Sequence, residues 1–248
     1  IKELWQCVVR TGVSSADIIM ISAAAGFIMG ILQITGLGFA LTNYLVDLGQ
    51  GSVFLLLLMS GVLCIVLGMG MPTLGVYVLL AVLFAPAFVE VGIAPIAAHM
   101  FILYLGMMSF VTPPVAIAAF FAANIAGADP MRTSWVAMRF SWTAYIVPFL
   151  FVFSPSLLLQ GDSWLVTISS VGTAIIGVWF VSSGMIGYGF GRTGGWTRVA
   201  SIVGGAFLLL PVEMVSWALY ANLMGGALAT MVIAVGLTNR HRRAAITS

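Results

Sequence analysis

Long apolar runs, separated only by brief polar or Gly/Pro interruptions, fill most of the chain: Val53 to Leu67, Leu74 to Val89, residues 96 to 127, Thr133 to Pro155 and Trp164 to Ile186. In lipid a backbone must satisfy its own amides and carbonyls, which leaves only helices and closed barrels. The runs do not alternate apolar with polar residues, so helices are expected. Of the 248 residues 62% are hydrophobic and 6% charged, with a mean hydropathy of +1.17. A soluble domain carries about 25% charged residues, and a soluble fold of this length could not hide so much apolar surface. The expected fold is an all-α integral membrane protein, a polytopic helical bundle of about seven or eight apolar segments.

The interruptions set the organisation. Residues 1–14 mix charges with Leu4, Trp5, Val8 and Val9 and suit a surface or linker helix. Residues 15–160 form a membrane domain, and 161–248 a C-terminal three-helix extension, with helices expected over Trp164 to Ile186, Val199 to Leu210 and Met214 to Leu237, and a basic tail. Within the membrane domain a first span covers Asp17 to Gln33, and a partly interfacial helix covers Gly36 to Ser52. Val53 to Leu67 reaches only about 22 Å as a helix, against a hydrocarbon core of about 30 Å. It stops at Gly68-Met69-Gly70-Met71-Pro72-Thr73, and another apolar run follows at once. This pattern predicts a re-entrant hairpin over 53–90. Residues 96–127 are too long for one simple span and are cut by Thr112-Pro113-Pro114, which predicts a broken helix. The chain opens at Ile1 with no signal-peptide pattern and reads as the C-terminal piece of a longer protein.

Charge placement gives an orientation. With the hairpin entering and leaving on one side, Lys2, Arg10, Arg132, Arg139, Arg192, Arg198, Arg240, Arg242 and Arg243 all fall at one face, and these are every Lys and Arg in the chain. Asp47, Glu90, Asp162 and Glu213 fall at the other. The positive-inside rule makes the basic face, and with it the C-terminus, cytoplasmic.

The two interruptions are also where chemistry is expected. Prolines cannot donate to carbonyls one turn earlier, and glycines permit conformations closed to other residues. Oxygens freed in this way within the membrane survive only when buried in protein or lining a cavity. A Na⁺ ion suits them, with the Thr73 and Thr112 hydroxyls as further ligands, and the helix start after each break favours an anionic substrate. No enzyme site competes: no intramembrane acid/base pair, nucleophile set, HExxH or phosphate-binding loop is present. His99 reads as a packing histidine, Cys7 and Cys64 as packing residues, and Gly172, Gly177, Gly184, Gly204, Gly205, Gly225 and Gly226 as close-approach points between the last helices.

The stretch from GMGMPTLGVYVLL at Gly68, through PIAAH and SFVTPPVAIAAFF, to the spans ending near Pro155 resembles the large membrane subunit of tripartite ATP-independent periplasmic (TRAP) transporters, in particular the fused-permease form that works with TAXI-type binding proteins. The resemblance implies an elevator-type importer of small organic anions built from inverted repeats, this chain holding the second and the first lying upstream. It implies Na⁺ as coupling ion, H⁺ being the other candidate, and no cofactor. Its cation site would comprise Gly68, Gly70, Thr73, Thr112, Pro113 and Val115, with Ser109 and Asn124 lining the substrate path. The implied partners are a periplasmic substrate-binding protein, the N-terminal half of the permease, a small membrane subunit or its fused equivalent, and the lipid bilayer, with no nucleic acid. The location would be a bacterial or archaeal inner membrane. The chain departs from the commoner family pattern at Ala116, where a glycine often follows the valine. Two other readings are a carrier of the same superfamily that needs no binding protein, and a non-transporting scaffold subunit.

Overall fold

A computed structural model describes residues 2–49, 51–161, 163–189, 194–212 and 217–247, and among them the chain is helical, with no β-strand. It forms two compact units, residues 1–152 and 153–248.

The first unit opens with α1 (Lys2–Thr35), a single helix of 34 residues. It runs unbroken through residue 14, where a surface helix was expected to end, because no proline or positive-φ residue stops it before Gly36, whose φ is 69°. Asp17, expected near a helix end, therefore lies inside α1. After α2 (Leu37–Leu48), Ser52 caps α3 (Val53–Gly68) by accepting from the Leu55 amide at 3.4 Å. The tip Met69–Pro72 leads directly into α4 (Thr73–Glu90). α3 has 16 residues, about 24 Å, whereas α4 has 18 and is long and apolar enough to cross a membrane. The second arm is thus longer than a re-entrant arm requires.

α5 (Pro95–Met108) and α6 (Ile117–Ala126) are the two halves of the expected broken helix, and residues 109–116 between them are not helical. α6 ends at Gly127 with φ 63°. Asp129 then caps α7 (Pro130–Phe140), its carboxylate accepting from the Arg132 amide at 2.7 Å. The single span expected from Thr133 to Pro155 is divided at Ser141 into α7 and α8 (Trp142–Phe153).

α5 sits at the centre of this unit, packed against α3 and α4. Phe101 is fully buried, with its ring edge-on to Phe88 at 5.4 Å and to Phe149 of α8 at 5.1 Å. Leu57, Leu80 and Ile102 are equally buried. Large apolar side chains also lie on the outer surface. Ile125 is 90% exposed and Phe121 66%, both on α6, a surface compatible with hydrocarbon rather than water.

In the second unit a 3₁₀ turn (Pro155–Leu158) precedes α9 (Trp164–Ile186), α10 (Gly195–Leu208) and α11 (Ala218–Thr247). α9 has the expected bounds. α10 begins four residues before the expected Val199, and the backbone of α11 stays helical through the basic tail, whose side chains are not described. The expected start of the last span at Met214, and Asp162, Arg192 and Glu213, lie outside the described residues. The helices here share a small core of Phe180, Leu208 and Ala229, and at three glycines they come backbone to backbone. A Cβ on Gly177 would stand 2.9 Å from the Gly205 carbonyl, one on Gly205 2.7 Å from the Gly177 carbonyl, and one on Gly225 2.7 Å from the Gly204 carbonyl. Gly172 and Gly226, expected in the same role, face open space. Arg198 closes the C-terminal end of α9, donating from Nε to the Gly184 carbonyl at 3.1 Å and from Nη2 to that of Met185 at 3.0 Å.

Among the described residues three stretches are long and apolar enough to span a bilayer: Thr73–Glu90, Pro130–Phe153, which includes the turn at Ser141, and Trp164–Ile186. The protein is a helical, multi-pass membrane protein.

Candidate functional site

The site begins with what the prolines do to the backbone of 109–116. In a continuous helix the amides of residues 113 and 114 would bond the carbonyls of Ser109 and Phe110. Proline has no amide to give. Phe110 recovers a partner, since the Ala118 amide reaches its carbonyl at 3.0 Å, and the Thr112 carbonyl accepts from Ala116 at 3.2 Å. Among the described residues no backbone amide bonds the carbonyls of Ser109, Val111, Pro113, Pro114 or Val115. The Pro113–Pro114 peptide is cis. The chain re-enters helix through Ala116, whose φ of 32° and ψ of 49° lie in the left-handed region. That is why glycine suits this position and why alanine here is strained.

The hairpin tip has the same character. Gly70 has a φ of 83°, open to glycine and rare for other residues. The carbonyls of Leu67, Met69, Gly70 and Met71 accept no backbone amide among the described residues.

The two interruptions meet. The Ser109 hydroxyl lies 3.0 Å from the Gly68 carbonyl and 2.7 Å from that of Gly106, so one proton is shared between the end of α3 and the end of α5. Ser109 is buried. A Cβ on Gly68 would lie 2.7 Å from the Gly106 carbonyl, which leaves no room for a side chain. Next to this contact the Thr112 hydroxyl donates to the Met108 carbonyl at 2.6 Å and pairs with the Tyr145 hydroxyl of α8, also at 2.6 Å.

The expected residues therefore divide. Gly68 and Ser109 are in direct contact, and Thr112, Pro113 and Val115 share the neighbouring non-helical segment. Gly70 and Thr73 are exposed, at the tip and on the first turn of α4, and neither hydrogen-bonds to that segment. Asn124 is exposed on the last turn of α6, about 12 Å along the helix axis from Ala116. Gly106 and Tyr145 went unnoticed in the sequence. Gly106 carried no signal beyond its residue type, whereas Tyr145 is a lone hydroxyl-bearing ring ahead of the apolar run Ile146 to Phe153. His99, read as a packing residue, pairs through Nδ1 with the Tyr77 hydroxyl at 3.1 Å, between α5 and α4.

Carbonyl and hydroxyl oxygens of this kind are hard ligands, suited to a small cation without transition-metal chemistry. Among the described residues no three His, Cys, Asp or Glu side chains are grouped as a metal site requires. At the start of α6 the Ile117 and Ala119 amides have no backbone acceptor among the described residues, so donors and a positive helix end stand beside the freed carbonyls.

A helical membrane bundle in which a glycine-proline tip meets a broken helix falls in the class of transport proteins, where interrupted helices carry the ligand sites. The model of the family described as tripartite ATP-independent periplasmic transporter, DctM component, matches residues 1–164, more than half of the chain. The chain belongs to that family, a transporter permease and not an enzyme. A curated relative, the isethionate TRAP transporter permease protein DctMQ of Oleidesulfovibrio alaskensis, is 26% identical over 136 residues. That alignment covers 55% of this chain and 21% of the relative, so the matched part is about a fifth of the relative's length. No solved structure matches the chain.

Proposed function

We propose that this chain forms the second repeat of the large permease subunit of a cation-coupled TRAP transporter, of the fused type that works with a TAXI-class binding protein. In this reading the substrate is a small organic anion, delivered by the periplasmic binding protein. Isethionate, in the name of the relative, falls in that class. The 53–90 hairpin is re-entrant, the first repeat and the small subunit or its fused equivalent complete the carrier, and the repeats move as an elevator in a bacterial or archaeal inner membrane.

The observation that carries the reading is the junction of Gly68 with Ser109 beside freed carbonyl oxygens. Na⁺ is the proposed ion. Its ligands would come from the Pro113 and Val115 carbonyls and from Thr112, with Gly68, Gly70 and Thr73 contributing from the tip. The amide-rich start of α6 would attract the anion, so that cation and substrate bind next to each other and favour one another electrostatically.

The test is Thr112→Val in the full-length transporter. Valine keeps the branching of threonine at Cβ and exchanges the hydroxyl for a methyl, which removes the oxygen and its bond to Tyr145. The sodium concentration for half-maximal uptake should rise at least about tenfold, as expected for losing roughly 1.4 kcal/mol of binding, with little change in the amount of protein in the membrane. An unchanged sodium requirement would overturn the site.

A further inference from the structure

We propose that Tyr145 is a positioning residue of this site: from α8, its phenol holds the Thr112 oxygen in place as a cation ligand. The inference rests on the cation-site reading and adds to it a residue outside both interruptions.

The proton count comes first. A threonine hydroxyl has one proton and two lone pairs. Thr112 gives its proton to the Met108 carbonyl at 2.6 Å. The proton in the 2.6 Å contact between Thr112 and Tyr145 therefore comes from the phenol. Tyr145 donates, Thr112 accepts, and one lone pair on the Thr112 oxygen stays uncommitted. Two short hydrogen bonds fix where that lone pair points.

The mounting of the phenol comes second. Residues 109–112 keep turn bonds back onto the end of α5, the Thr112 amide reaching the Met108 carbonyl at 3.0 Å, but the next three residues, Pro113 to Val115, donate no backbone amide among the described residues, so a ligand at the edge of that gap gains from an anchor elsewhere. α8 supplies one. Phe149, one turn after Tyr145, sits edge-on to Phe101 at 5.1 Å and near Phe54 at 6.3 Å, and Phe151 meets Tyr104 at 5.5 Å. Pro148 and Leu150 are buried. The phenol thus stands on a helix seated against α3 and α5, and it reaches the broken segment at the residue proposed to ligate the ion. A bond that only stabilised the fold could join any two residues in these helices, whereas this one ends on a candidate ligand atom and leaves that atom a free lone pair.

The experiment is a sodium titration of thermal unfolding, on the full-length transporter purified in detergent, with choline chloride holding ionic strength constant. An ion that binds only the folded state raises the melting temperature with concentration, and the midpoint of that rise reports its affinity. Tyr145→Phe loses the bond with or without the ion, so the melting temperature without sodium should fall by a few degrees at most, while the sodium midpoint rises about tenfold because the Thr112 oxygen is no longer held in ligand position. In a Thr112→Val background the same change should add nothing, because the bond is already gone. If Thr112→Val shifts the midpoint and Tyr145→Phe leaves it at the parent value, the positioning role is overturned and the cation site stands. If neither variant shifts it, the cation site itself fails, and the positioning role fails with it. Should Tyr145→Phe not survive purification, Tyr145→His keeps a ring donor and is titrated instead. Its midpoint should stay nearer the parent's than that of Thr112→Val, and a midpoint at or beyond that of Thr112→Val overturns the proposal.

Discussion

Ala116 shows how one backbone angle limits what a residue can be. Its φ of 32° is costly for any side chain, and it is fully buried. Exchanging it for glycine removes roughly 1 kcal/mol of left-handed strain and gives up about 0.8 kcal/mol of buried methyl. Ala116→Gly should therefore melt within a few degrees of the parent, whereas Ala116→Val, branched at Cβ, should lower both the melting temperature and the yield. Gly68 is bounded differently, by space. Gly68→Ala would drive a methyl to 2.7 Å from the Gly106 carbonyl, so the ends of α3 and α5 must part. Full-length transporter carrying it should lose sodium stabilisation in the titration described above, even where it can be purified. Sequence reading located both residues within the interruptions but could not assign the constraint. A glycine or a TPPVA motif marks a break without stating which φ follows it or which backbone lies opposite.

At the level of elements, legibility depended on whether the stop signal was local. Gly70, with its φ of 83°, and Pro72 fixed the inner ends of the hairpin arms to within one residue, since proline and positive-φ glycine act on the chain where they stand. The α9 helix was readable for a similar reason: Ser163 caps its start, accepting from the Leu165 amide at 3.3 Å, and Gly187 closes it with φ 79°. The division at Ser141 had no such mark, because Ser-Trp breaks no rule of local chemistry, and the unbroken course of α1 was hidden by the charges of its first turns. The partnership of Thr112 with Tyr145 joins positions 33 apart, a distance at which periodicity says nothing. In the second unit, Gly205→Ala should separate α9 from α10, because its Cβ would meet the Gly177 carbonyl and the Val181 amide at 2.7 and 2.8 Å. The loss should be in the range of about 1 to 3 kcal/mol for overpacking, read as a lower melting temperature with the sodium midpoint unchanged.

For the whole molecule, charge placement makes a testable prediction of which way it faces. The charge pattern predicts Arg132 on the cytoplasmic side and Glu90 on the periplasmic side, and both residues are exposed. With Cys7 replaced by Ser, a cysteine at position 90 should react with a membrane-impermeant maleimide added to intact spheroplasts, and one at 132 only after lysis. The reverse pattern would invert the topology. On the proposed transport reading, the hairpin would have to part from the broken helix without stranding polar groups in hydrocarbon. The hydroxyl of Ser109 meets that requirement. Its proton already has the Gly106 acceptor on its own helix at 2.7 Å, so if the hairpin lifts away, the serine only drops its second partner and stays satisfied. Gly68 alone is released, with an oxygen then turned toward whatever enters. The same atom is a clasp when the halves are together and costs little to undo.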